Sequence, residues 1–191
     1  ICGGKVVGLR ARRIDCECGE KGKWLSASGS KPILYNAGWT TANPAQRTAA
    51  RIGDSRHPYA AGRVVFIVEN PIDALMLENV TERYYAFATL GVTNWREEWT
   101  FALQNAKPKL VVIAYDHDLA GNGGSTDSER REMEADWMSK NPKAKVAPTP
   151  NGVRLANVLL DAGINACVYR WPAGTPMKYD IGELLKNGQM V

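Results

Sequence analysis

The chain has 191 residues, 45% of them hydrophobic, enough for one full core and a smaller appended unit. No apolar run approaches the roughly 18 residues of a membrane span and no signal-peptide pattern opens the chain, so a soluble, cytoplasmic protein is expected, with no membrane partner. The net charge of +4 is uneven: residues 1–63 carry 11 Lys+Arg against 4 Asp+Glu, residues 64–191 carry 13 against 16.

The chain begins at Ile1 rather than Met, which reads as a piece of a longer protein. KVVGLRARRID reads as an extended strand, and after a Gly- and Lys-containing turn KWLSASGSKPILYN is Ser/Gly-rich with no helical period. Residues 1–60 are therefore expected to form a small, basic, β-rich subdomain, and residues 61–191 the main domain. Cys16 and Cys18 are one residue apart, where zinc pairs are usually spaced by two to four, and no second pair completes a site. With Cys2 and Cys167 they read as reduced thiols. Residues 42–57 look helical or irregular, and His57, before Pro58, reads as a solvated loop histidine.

RVVFIV, from Arg63 to Val68, has the uninterrupted apolar character of a strand buried on both faces of a parallel sheet. It ends on Glu69. Asn70-Pro71 then reads as N-cap and first helical residue, and IDALMLENV as a helix with apolar residues at 72, 75, 76 and 80. Asp73 falls in its first turn, where an acid favours the helix dipole whatever else it does. YAFATLG reads as a further strand with a Gly exit, and NWREEWTFALQN as a helix capped by Asn94. Trp95 and Trp99, four apart, are expected to pack.

LVVIAYDHDLAG, from Leu110 to Gly121, is a second buried-strand run, and it stops on Asp116 and Asp118. Positions i and i+2 of an extended segment point the same way, and the carboxyl edge of an open α/β sheet is where ligands bind. Two carboxylates so placed repel each other unless a cation neutralises them, and their hard oxygens suit Mg²⁺ or Mn²⁺. The same two aspartates could instead simply end the strand and cap the turn. Beyond Gly121, SERREMEADWMSK reads as a charged surface helix and NPKAKVAPTPNG as a loop, so that 122–151 looks like a solvated insertion before the helix VRLANVLLDAG. INACVYRWP gives a last strand and MKYDIGELLKNG a closing helix, with Asp180 and Glu183 spaced as a capping box. The order of strands and helices implies a mostly parallel sheet with right-handed crossovers.

A strand ending in Glu69, a turn, I-D-A-L, and then a strand ending in D-H-D-L-A-G together resemble the Toprim domain of bacterial primases, topoisomerases and some nucleases. The resemblance implies a Rossmann-like α/β fold. It also implies that Glu69, Asp116 and Asp118 are catalytic and bind Mg²⁺ or Mn²⁺, with Asp73 and Asp180 as further metal-linked acids. The family usually has Gly where this chain has Asn70, and Asn is among the residues that best tolerate the left-handed region. G-K-V-V-G-L-R-A-R-R-I, K-W-L-S and L-Y-N, with K-Y-D-I-G-E-L-L near the end, are similar to the polymerising core of DnaG-type DNA primases. That similarity implies that Arg12, Lys23 and, more loosely, Lys31 hold nucleotide or template. The expected activity is nucleotidyl transfer making RNA primers, with single-stranded DNA and NTPs as partners and a replicative helicase as a candidate one. A Toprim nuclease using the same acids, or a non-catalytic binding module, are the other readings.

Overall fold

The structure is a computed structural model that describes residues 62–80 and 84–188, together with the backbone of 10–12 and 24–26. Strand β1 (Arg10–Arg12) pairs antiparallel with β2 (Trp24–Ser26), Arg12 opposite Trp24. Strand β1 lies in the stretch that the sequence reads as an extended strand, and β2 in the one it reads as Ser/Gly-rich with no helical period.

The main sheet has four parallel strands: β3 (Val64–Val68), β4 (Tyr84–Ala88), β5 (Leu110–Ile113) and β6 (Ala166–Val168), in the spatial order β4-β3-β5-β6. Val68 lies opposite Ala88, Ile67 opposite Ile113, and Ile113 opposite Val168. The α/β fold with a parallel sheet flanked by helices is thus as the sequence implies. The pleat sorts the side chains into two layers. Even-numbered residues such as Phe66, Val68, Ala86, Ala88, Val112 and Ala114 pack with Ala74 and Leu77 of α1 (Pro71–Val80) and with Ile181 and Leu184 of α5 (Ile181–Lys186). Odd-numbered residues such as Val65, Ile67, Phe87, Val111 and Ile113 pack with Trp99 and Leu103 of α2 (Glu97–Ala106) and with Leu155 and Leu159 of α4 (Asn151–Asp161). The insertion helix α3 (Asp127–Lys140) buries only Met133.

Two expectations change. In α1 the buried residues are Asp73, Ala74 and Leu77, while Ile72, Leu75 and Val80 are exposed. Capping by Asn70 fixes the helix phase, and that phase turns an acid and a small residue toward the sheet. Helix α2 begins at Glu97 after Arg96, with no side-chain cap. Asn94 instead closes the turn leaving β4, its Nδ2 donating to the carbonyls of Leu90 at 2.8 Å and Thr89 at 3.3 Å. Trp95 and Trp99 pack edge to face, 5.5 Å between centroids. No helix among the described residues is long and apolar enough to cross a membrane.

Candidate acidic metal site

The strand order makes β3 and β5 neighbours whose following connections leave in opposite directions: β3 leads to β4 on one side, and β5 to β6 on the other. This is the topological switch point of an open α/β sheet, where a crevice opens beyond the carboxyl ends of the strands. Glu69 follows β3 directly, and its carbonyl accepts the Leu90 N–H at 2.9 Å. Asp116 follows β5 by three residues.

The D-H-D turn is closed by its own backbone. The Asp116 carbonyl accepts from the N–H groups of Asp118 at 2.9 Å and Asn122 at 3.1 Å, and the Asp118 carbonyl from Gly123 at 2.7 Å. Asp118 Oδ1 accepts the Gly121 N–H at 2.6 Å, so one of its oxygens serves the turn. A Cβ at position 121 would collide with the Asp116 carbonyl oxygen, so this loop can only be wound as tightly as it is around glycine.

Asp73 is the most perturbed acid. It is 3% exposed. Burial comes first, and the negative charges of Asp180, Asp116 and Glu69 add to it, pushing its carboxyl up to about 8. The Gly182 N–H bonds to it and opposes the rise without cancelling it. Asn70 holds the other side: its Nδ2 donates to Asp73 Oδ2, and its Oδ1 accepts from the N–H groups of Ile72 at 2.9 Å and Asp73 at 3.1 Å. Asn70 therefore acts as N-cap, as the sequence suggests. It is not among the described non-glycine residues with positive φ, so the turn does not require the left-handed conformation that glycine supplies. Opposite, a Cβ at Gly182 would lie 2.6 Å from Asp73 Oδ1, so glycine is what lets the first turn of α5 approach the acid.

Four of the sequence-derived acids, Glu69, Asp73, Asp116 and Asp180, are thereby brought within electrostatic reach of one another. Among the described residues no three His, Cys, Asp or Glu side chains converge tightly enough to cage a metal ion. The arrangement suits a hard, partly hydrated cation: every donor is a carboxylate oxygen, the charges crowd on a buried acid, and Mg²⁺ is ordinarily held by one or two carboxylates with water and substrate completing its shell. Asp180 has a second duty as N-cap of α5, its Oδ1 accepting the Glu183 N–H at 2.7 Å. Glu183 does not return the bond as a capping box; its Oε1 takes Lys186 Nζ at 2.6 Å.

His117 and Glu129 had no place in the sequence reading. His117 is 2% exposed. Its N–H donates to Tyr179, its carbonyl accepts from Lys178, and its Nδ1 faces the Pro176 carbonyl at 3.1 Å. These bonds fasten the segment preceding Asp180 to the D-H-D turn. Its Nε2 lies 3.9 Å from Glu129 Oε2, beyond hydrogen-bond range. Glu129 accepts backbone N–H groups from Gly174 at 3.1 Å, Ser125 at 2.9 Å and Thr126 at 3.2 Å, and these bonds, Gly174's foremost, hold its carboxyl below the usual range. The 122–151 insertion is thus tied to the site and is more than a solvated loop. Contacts among residues 117, 129 and 174 depend on tertiary folding and leave no periodic trace in the sequence.

Of the basic residues expected to hold nucleotide or template, Arg12 lies in β1, described here by its backbone alone, and Lys23 and Lys31 lie outside the described residues.

An open parallel sheet with acids gathered beyond its switch point defines the class of fold and site: an α/β protein with an acidic sheet edge. The Toprim-like family matches residues 66–143, from β3 through the D-H-D turn to just past α3, which supports a Toprim domain in this stretch. Toprim domains bind divalent metal ions such as Mg²⁺ and occur in enzymes acting on nucleic acids. No curated protein and no solved structure matches the chain.

Proposed function

We propose that the chain is the catalytic core portion of a DNA primase, transferring nucleotides to build RNA primers on single-stranded DNA. The observation that carries it is the acidic group of Glu69, Asp73, Asp116 and Asp180 at the β3/β5 switch point, following a basic first third whose sequence resembles the lead-in of DnaG-type primases. Glu69 and Asp116, with Asp118, would hold Mg²⁺ or Mn²⁺, and Asp73 and Asp180 would support them. Such ions, when bound, neutralise charge on the attacking and leaving oxygens of phosphoryl transfer. The chain's own residues fix the geometry: Gly121 keeps the Asp116 turn tight, Asn70 and Gly182 hold Asp73, and His117 ties the 176–180 segment to the same turn. Arg12, Lys23 and Lys31 would bind the template and NTP phosphates. The same acids also suit a Toprim nuclease.

The deciding experiment supplies single-stranded template, NTPs and Mg²⁺ or Mn²⁺ to the intact parent protein. Short oligoribonucleotides with an uncut template are the expected products. Template cleavage without NTP incorporation would put the nuclease reading in its place.

A further inference from the structure

The loop leaving Asp116 continues into the wall of a second feature. Residues 122–126, the face of α3, the 147–150 segment and the end of β6 line an open cavity of about 610 Å³. That is within the range of about 300–1,000 Å³ that small ligands occupy.

Three arginines line it, Arg130 and Arg131 from α3 and Arg170 from beyond β6. Arg130 is engaged, with Asp127 at 2.8 Å and Glu134 at 4.0 Å, and these are also the acids of the cavity wall. Arg131 and Arg170 are exposed and form no salt bridge among the described residues, which leaves two cations for a ligand. Helix α4 starts at the cavity with Pro150 as N-cap, and its first two amides, of Asn151 and Gly152, already donate to the Ala120 and Gly121 carbonyls at 3.1 and 2.9 Å, so the arginines are the groups left for an anion.

Buried polar atoms also mark the wall. Trp171 is 1% and Asn122 6% exposed, and Trp171 Nε1, Asn122 Oδ1 and Ser125 Oγ are buried without hydrogen-bond partners. Closed to water, these atoms lie within the wall, and the groups that a ligand can reach are the exposed arginines and Tyr169. Tyr169, half-buried and edge-on to Trp171 at 5.0 Å, supplies an aromatic ring.

We propose that this cavity binds a nucleotide, its phosphate held by Arg131 and Arg170 and its base against Tyr169. The choice of nucleotide over another phosphate-bearing ligand rests on the nucleic-acid reading above. Guanidinium groups suit phosphate oxygens, aromatic rings suit bases, and the site lies one loop from the acids, since the Asn122 N–H donates to the Asp116 carbonyl. The nucleotide can be free or one unit of a strand.

The test is calorimetry on the full chain in EDTA, with ATP and with a short oligothymidylate as probes. At least one probe should bind, and Arg131→Ala/Arg170→Ala should weaken it roughly tenfold or more. The charge reversal to Glu at both positions should weaken it further, with melting temperatures near the parent's, since both side chains are exposed. Lys140→Ala/Lys143→Ala, outside the cavity wall, should bind as the parent does. Binding of ATP alone assigns a free nucleotide and binding of the oligonucleotide alone assigns a strand; both support the proposal. Absence of binding by either probe, or an arginine variant that binds like the parent, overturns it. Because metal is excluded, Asp116→Asn should bind the probe normally, so this result stands apart from the fate of the metal reading.

Discussion

Two corners of one sheet edge treat charge in opposite ways. Beyond β3 and β5, like charges gather around a buried carboxyl: Asp73 feels Asp180, Asp116 and Glu69 at 3% exposure. Beyond β6, around the cavity, Arg130 is neutralised by its own helix neighbours, and Arg131 and Arg170 stay in water. Withdrawal from water makes each charge count for more. On the proposed readings the first corner answers a cation, and the second takes up an anion with little cost when empty.

The largest effect expected at the acidic corner is on catalysis. Glu69→Gln and Asp116→Asn should each lower turnover by roughly 10²–10⁴-fold, the several kcal/mol that metal-borne charge stabilisation supplies, and should lose Mn²⁺ binding in calorimetry. Variants that bind Mn²⁺ like the parent would make these acids structural, and the contrast between the corners would collapse.

Next comes pH. Asp73 has a folded pKa of about 8 against 3.8 for the free side chain, so between those values the folded state holds a proton that the unfolded chain has released. Stability of the metal-free protein should accordingly fall as pH rises from about 4 to about 8 and level off above, by an amount on the order of a few kcal/mol. Urea midpoints across this range measure it. The slope should shrink in Asp73→Asn, and identical slopes for variant and parent would refute the assignment. The slope is the readout because Asn at 73 would set an amide against the Asn70 amide and lower stability at every pH.

Gly121→Ala tests the frame of the same corner. Its Cβ meets the Asp116 backbone, which cannot retreat as a flexible side chain would, and a loss of about 1–3 kcal/mol is expected by denaturation. Gly174→Ala, at φ +78° with open space around it, should lose less. Between the corners, Glu129→Ala should lower the melting temperature by roughly 2–4 °C by leaving the Ser125, Thr126 and Gly174 amides without their acceptor. The smallest effect concerns the basic third. Arg12→Ala with Lys23→Ala should flatten the salt dependence of single-strand binding by roughly one to one and a half units, at about 0.7 per phosphate contact. A larger change from Lys140→Ala/Lys143→Ala would withdraw the primase reading of that third.

What the sequence reveals here follows from where each feature's cause lies. The strands of the main sheet were legible because a strand covered on both faces must be apolar throughout, and RVVFIV and LVVIAY are. The acids at their ends were legible because a strand's end is a local property. The phase of α1 was not, because Asn70's side chain sets it, and the apolar residues 72, 75 and 80 give the wrong face. Asn94 is a good cap by type, yet nearby carbonyls claimed its side chain first. The cavity was illegible altogether, since Arg131 and Arg170 are brought to one wall only by the pairing of β5 with β6.

Glu129 has a consequence for anyone who would redesign this chain. The insertion looks like a decoration that could be trimmed to a short turn, as surface loops often can. Yet Glu129 is the strut between the D-H-D loop and Gly174, and the strand of chain from Gly174 leads directly to Pro176 and Tyr179, which His117 grips, and to Asp180. Cutting out α3 would unhitch one end of that span, and a minimised version of the protein should retain its sheet while Asp180 strays from Asp73.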